Sequence, residues 1–171
     1  MCAGQGNDLI GALSGHARAA DVRARLVELH PRNCEAAHAA APAGVDVACA
    51  DAALTSSYDG AVPAEIVLAN GVFGNISDAD IERTIGLLPS LCAPEATVIW
   101  TRHRRPPDRT VDIRRWFDAA GFTEIAYEAP DEFIFGVGVN RLTVPPVPFR
   151  ADVKLFDFTG SDQNWQNGEP A

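Results

Sequence analysis

Short apolar runs alternate with helix-like segments along almost the whole chain, and this alternation restricts the fold to an α/β class with a mostly parallel sheet. Residues 7–20 read as a helix with Leu9, Ile10 and Leu13 on one face. Residues 24–29 (ARLVEL) read as a strand. Pro31 opens a helix over 31–41 that Gly44 stops, and 45–50 (VDVACA) and 64–69 (AEIVLA) are further strands. Ser77 can cap a helix over 78–91, with Asp80 as its capping-box partner and Ile81, Ile85 and Leu88 inward. Residues 96–101 (ATVIWT) form a strand, and 102–109, broken by Pro106 and Pro107, a loop. A helix over 110–120 turns Ile113, Trp116, Phe117 and Ala120 inward and ends at Gly121. Strands at 122–128 and 133–140, joined through Pro130-Asp131-Glu132, read as a closing antiparallel hairpin.

After Arg141 the composition changes. The reading divides the chain into a domain at 1–143 and an extension at 144–171, proline-rich at first and polar from Ser161. The last residues read as a frayed tail, although Val153, Leu155, Phe156 and Phe158 can dock on the domain.

With 171 residues, of which 47% are hydrophobic and 22% charged, the chain can build one globular core. A net charge of −9 argues against a nucleic-acid partner, which needs a basic face. The one dense basic run, Arg102-His103-Arg104-Arg105, reads as a solvated loop that could otherwise hold an acidic substrate. No run is apolar enough to span a membrane, and the first residues lack the pattern of a signal peptide. Cys2, Cys34, Cys49 and Cys92 form no CxxC pair, so reduced, mostly buried thiols in a cytoplasmic protein are expected. His16, His30 and His38 have no ligand spacing, and no metal is expected.

Chemistry concentrates at the strand ends. Gly4 and Gly6 lie in a turn, CAGQGNDLI, of the kind that follows a buried strand and starts a helix. Glycines there let the backbone approach a ligand. Glu28 closes the next strand, where an acid can accept both hydroxyls of a ribose. Asp51 closes the one after, where a carboxylate can accept from an adenine amino group. Together they describe a nucleoside site at the carboxyl ends of adjacent strands. Taken singly, the glycines are an ordinary turn, Glu28 a solvated strand end and Asp51 a helix cap.

This arrangement resembles a class I S-adenosylmethionine (SAM)-dependent methyltransferase over roughly residues 2–142. CAGQGNDLIG is similar to the family's first motif, Glu28 in LVELHP to its ribose-binding acid, and Asp51 in ACADA to its adenine-contacting acid. LANGVFGNIS resembles the fourth motif, and FTEIAYEAP with EFIFGVGVNRL the reversed last strand. The resemblance implies a Rossmann-like, doubly wound, mostly parallel sheet with a C-terminal antiparallel hairpin, and SAM as cofactor. It places Ala3, Gly4, Gly6, Asp8, Glu28, Leu29, Asp51, Ala52, Asn70 and Gly71 at the cofactor, with a small-molecule methyl acceptor. The family's first strand precedes the glycine turn. Here it is missing or reduced to a stub within residues 1–3, as in an N-terminally truncated chain, and the family's substrate-covering helix is absent. A sheet so built exposes unpaired backbone and apolar side chains, which lowers stability and promotes self-association into a homo-oligomer.

Methyl transfer is an in-line displacement governed by positioning, and it needs a base only for a protonated acceptor. Asn70 and Asn75 can orient an acceptor, Asn75 reading more readily as turn chemistry. His103 is a candidate base, set against a surface histidine. Phe73 lines the pocket or belongs to the core, and Trp100 and Trp116 are core. A nicotinamide-dependent oxidoreductase would use a similar glycine turn and acid. Against it stand Asp51, the NGVFGN segment, the hairpin, and the lack of a tyrosine–lysine pair, since Lys154 is the only lysine. A non-catalytic truncated domain is the third reading.

Overall fold

In a computed structural model, residues 1–159 are described. The polar tail expected from Ser161 lies outside them. The elements in chain order are helix α1 (Asn7–Leu13), strand β1 (Ala24–Glu28), α2 (Pro31–Ala40), β2 (Val45–Cys49), β3 (Ala64–Ala69), α3 (Asp78–Leu87), β4 (Cys92–His103), α4 (Thr110–Ala119), β5 (Phe122–Glu128) and β6 (Phe135–Leu142). The expected alternation is observed, and the fold is Rossmann-like.

Several boundaries differ from the sequence reading: α3 ends at Leu87, β4 starts at Cys92, and β6 covers Phe135–Leu142. Helix α1 stops at Leu13 because Gly15, just past the Ser14 cap, takes φ 75°, a left-handed turn that glycine reaches without strain. A short 3-10 turn at Ala19–Asp21 replaces its expected last part. Strand β4 runs through Arg102 and His103, which pair with Gly136 and Phe135 of β6. A polar run that reads as loop is thus drawn into the sheet by its partner. The cap on α3 forms as expected, with the Asp80 N–H donating to Ser77 Oγ at 3.1 Å. The Asp80 carboxylate does not complete a capping box. It pairs with Arg83 at 2.6 Å and accepts from the Asp157 N–H at 3.2 Å.

The strands form two sheets. In one, β1 and β2 pair in parallel; the other has the order β3-β4-β6-β5. There β3 and β4 are parallel, and β6 runs antiparallel to both its neighbours. Residues 1–3 bridge the seam. The Met1 amine donates to the Leu68 carbonyl at 2.9 Å, and the Ala3 N–H to the Val27 carbonyl at 2.9 Å. The stub therefore touches each sheet once, where a full strand would make a ladder. Ile66, in the middle of β3, is 62% exposed, an unusual state for a β-branched residue in a parallel strand.

Two cores lie on either side. The larger holds Phe73, Trp100, Phe117 and Phe122, with the Trp100 and Phe117 rings stacked at 5.8 Å and Phe122 edge-on to Phe117 at 5.4 Å. Burial of such rings contributes about 1.5–3 kcal/mol each. The Trp100 indole N–H donates to Asn140 Oδ1 at 2.8 Å, so neither polar atom is left unpaired. Trp116 packs only partly buried against this core. The smaller core is Leu26, Cys34, Ala37 and Val47, flanked by Ala3, Leu9 and Ile10. The C-terminal segment docks as its apolar residues suggest. Leu155 and Phe156 are fully buried, the Leu155 N–H donates to the Ala53 carbonyl at 2.8 Å, and Thr84 Oγ1 donates to the Leu155 carbonyl at 2.9 Å.

Candidate functional site

The glycine turn is built around a close approach. Gly6 caps α1 at φ 77°, and its N–H donates to the Ala3 carbonyl at 2.8 Å. A Cβ on Gly6 would lie 2.6 Å from a Leu26 methyl, so a larger residue would have to push that side chain aside as well as strain a left-handed backbone. Glu28, at the end of β1, is held by this turn and by the start of α2. Its Oε2 accepts from the Gly4 N–H at 2.8 Å and its Oε1 from the His30 N–H at 2.9 Å. Each carboxylate oxygen can accept more than one hydrogen bond, so Glu28 is oriented and keeps acceptor capacity.

Cys2, Glu28, Leu29, Asp51, Ala52 and Phe158 line one hollow of about 90 Å³. The two acids expected at successive strand ends thus face a common space beside Gly4. Asp51 closes a turn, its Oδ1 accepting from the Ala53 N–H at 2.8 Å, and this holds the carboxylate in place. Leu29 is 52% exposed, an apolar wall open to a ligand. Burial pushes the Cys2 thiol up to about 11, so it is a neutral wall of the hollow at physiological pH.

Asp8 and Asn70 meet across the seam. Asn70 Nδ2 donates to Asp8 Oδ2 at 2.9 Å, while Asn70 Oδ1 is buried without a partner. The Gly71 N–H donates to Thr101 Oγ1 at 3.1 Å. Ala3, Gly4, Gly6, Asp8, Asn70 and Gly71 therefore run from the hollow, along the glycine turn, to the end of β3. Asn75 donates to the Gly71 carbonyl at 2.7 Å, the turn role expected of it. Phe73 is fully buried in the larger core.

His103 does not line the hollow. It is half-buried on β4, not a surface histidine in a solvated run, and its Nε2 lies 3.1 Å from Arg102 NH1. Burial, then the charges of Arg102 and Arg105, hold it below the ordinary histidine value. Arg102 corrects the loop reading further. It is buried, and its NH1 donates to the Phe73 carbonyl at 2.7 Å, tying the end of β4 to the loop after β3.

Two contributors escape the sequence reading as site residues. Phe158 arrives from the far end of the chain, carried over the hollow by an antiparallel bridge to Ile76. Cys2 arrives with the stub. Phe158 is legible only as a docking residue, because nothing local says which surface it covers. Among the described residues, no group of three or more His, Cys, Asp and Glu side chains could hold a metal ion.

No family model matches the chain, and no curated protein matches it in sequence. Its likeness is to solved structures. An O-methyltransferase family protein from Burkholderia thailandensis superimposes with a TM-score of 0.64 at 15% identity, over 83% of this chain and 49% of that one. CalO1, a methyltransferase in calicheamicin biosynthesis solved with S-adenosylhomocysteine (SAH), gives 0.60 at 14% identity, over 85% and 47%. Magnesium protoporphyrin IX methyltransferase (ChlM) from Synechocystis PCC 6803, solved with bound SAM, gives 0.61 at 13%, over 83% and 67%. The chain has the class I SAM-dependent methyltransferase fold. It spans about half the length of the first and second of these structures.

Proposed function

We propose that the protein binds SAM and transfers its methyl group to a small-molecule acceptor. The observation that carries this reading is the common hollow of Glu28 and Asp51 beside the Gly4 turn. Bound there, SAM supplies a methyl carbon already activated by its sulfonium. Glu28, fixed by two backbone N–H groups, has lone pairs left to accept from ribose hydroxyls. Asp51 spends one oxygen on its own turn and offers the other to the adenine amino group. Leu29 and Ala52 supply apolar walls for the base. Gly4 and Gly6 admit the amino-acid end to the backbone, with Asp8 beside it.

Acceptor binding falls to the loop after β3. Asn70 Oδ1, buried and unpartnered, can accept from an acceptor N–H or O–H and so orient it. His103, kept neutral and fixed beside Arg102, stands at the other edge of that loop. The net charge of −9 favours a small acceptor over nucleic acid.

Titration calorimetry with SAH tests the reading, with NADH as the competing ligand. The wild type should bind SAH and not NADH. Glu28→Ala and Asp51→Ala should each weaken SAH binding by about tenfold or more, the size expected for losing a hydrogen bond to a charged group. Absence of SAH binding by the folded wild type, or two variants that bind as tightly as it does, refutes the assignment.

A further inference from the structure

The four cysteines are all free, yet two of them meet. Cys34 Sγ and Cys49 Sγ lie 2.6 Å apart. The fold brings them together around the end of β1. Cys49 pairs in register with Glu28 across the parallel ladder, and Cys34 stands on α2, which starts just after that strand end. Cys34 Sγ–H donates to the Glu28 carbonyl at 3.3 Å, and Cys49 Sγ–H to the Leu29 carbonyl at 3.7 Å. Cys49 is exposed and Cys34 is buried, so the pair has one reagent-accessible sulfur and one protected sulfur in direct contact.

We propose that Cys34 and Cys49 are a redox modification site that a hydroperoxide converts reversibly into an intramolecular disulfide. The exposed Cys49 thiol attacks the peroxide O–O bond and becomes a sulfenic acid, releasing one water from hydrogen peroxide. The Cys34 sulfur then displaces the sulfenic hydroxyl. The S–S bond forms, the S–O bond breaks, and the Cys34 proton leaves with that hydroxyl as a second water. Both thiols are oxidised and the peroxide is reduced to water. Cys34 is buried, and burial first and then the Cys49 thiol beside it push its thiol up to about 12, so the exposed Cys49 is the sulfur that meets peroxide first. This sets the order of events. A dithiol reductant reverses the change. The proposal is independent of what the neighbouring hollow binds.

The test uses the wild-type chain. The protein is treated with a small excess of hydrogen peroxide, its remaining thiols are blocked with iodoacetamide after denaturation, and it is digested without reduction. Glu35 and Asp46 lie between the two cysteines, so a protease cutting at acidic residues separates them. The expected result is a Cys34–Cys49 linked peptide pair, lighter by two hydrogens. Two of the four thiols should be lost to alkylation and recovered with dithiothreitol, with Cys2 and Cys92 still alkylated. In Cys34→Ser the link disappears and a dimedone-reactive sulfenic acid remains at Cys49. Recovery of both Cys34 and Cys49 as alkylated thiols from peroxide-treated wild type overturns the proposal. So does a disulfide from Cys49 to another chain, or over-oxidation of Cys49 with Cys34 left free.

Discussion

At the scale of single residues, the cluster behind the loop after β3 sets a measurable pH dependence. Burial, then Arg102 and Arg105, hold His103 below the ordinary histidine value near 6.5. Below that pH the unfolded chain takes up a proton that the native state refuses. Stability is therefore complete above about pH 6.5 and declines as the pH falls from there toward the folded-state value. Burial raises Asp108, but hydrogen bonds from the Thr110 backbone and hydroxyl, together with Arg104 and Arg102, bring it net below its ordinary value. Its contribution is present above about pH 3.9 and is lost only as the pH falls lower. His103→Asn should thus flatten the fall in urea midpoint between pH 7 and 5.5 and leave the region near pH 3 unchanged. Equal slopes for wild type and variant would show that His103 titrates as it does in the unfolded chain. Residues of this kind are poorly legible in a sequence. Glu28 and Asp51 end apolar runs, so their place at strand tips can be read directly. Arg102 sits in a basic run that reads as solvent-facing, and its burial depends on the Phe73 carbonyl and on β6, both distant in sequence. The Cys34–Cys49 contact has no CxxC spacing to announce it, because a helix and a strand separate the two.

At the scale of elements, strand and helix order follows from apolar periodicity, whereas the ends of elements follow from partners. Helix α1 shows this, since its apolar face continues on paper while Gly15 ends it. Ser77 caps α3 as its sequence suggests, whereas its expected capping-box partner Asp80 turns to Arg83 and Asp157 instead. Ser77→Ala should lower stability by about 1 kcal/mol, measured by chemical denaturation. On β6, Gly138 lies opposite Trp100 in register, and any Cβ there would run into the indole ring. Gly138→Ala should cost about 2 kcal/mol or more and perturb the tryptophan fluorescence. An unshifted denaturation midpoint would show that the ring has room to move. The C-terminal segment offers a third prediction. Ligand pockets usually exceed about 300 Å³, and the hollow under Phe158 measures about 90 Å³. If Phe158 is the wall that yields to a nucleoside, binding is weakened by the fraction of time it stays closed. Phe158→Ala should bind SAH about threefold more tightly or better. Weaker binding would instead make the ring part of the ligand's own packing.

At the scale of the whole molecule, the division into two sheets and two cores has thermodynamic weight. The smaller core has four buried side chains, two of them no larger than cysteine, whereas the larger one includes the aromatic cluster. Amide hydrogen exchange should therefore be faster in α1, α2 and β2 than in β4 and β6, since cooperative opening is easiest where apolar contact is least. Uniform protection throughout would mean that the two halves open as one cooperative unit.

The acids Glu28 and Asp51 lie at the ends of β1 and β2, and Asn70 and Gly71 at the end of β3, with residues 1–3, the Asp8–Asn70 hydrogen bond and the packing of Val27 into the larger core joining the two banks. A molecule that reaches both banks would act as a clasp. Its saturation should raise the melting temperature and slow exchange along α2 and β2, including their ends away from the hollow. The protein would then be at its most rigid when loaded and would loosen each time it lets its product go.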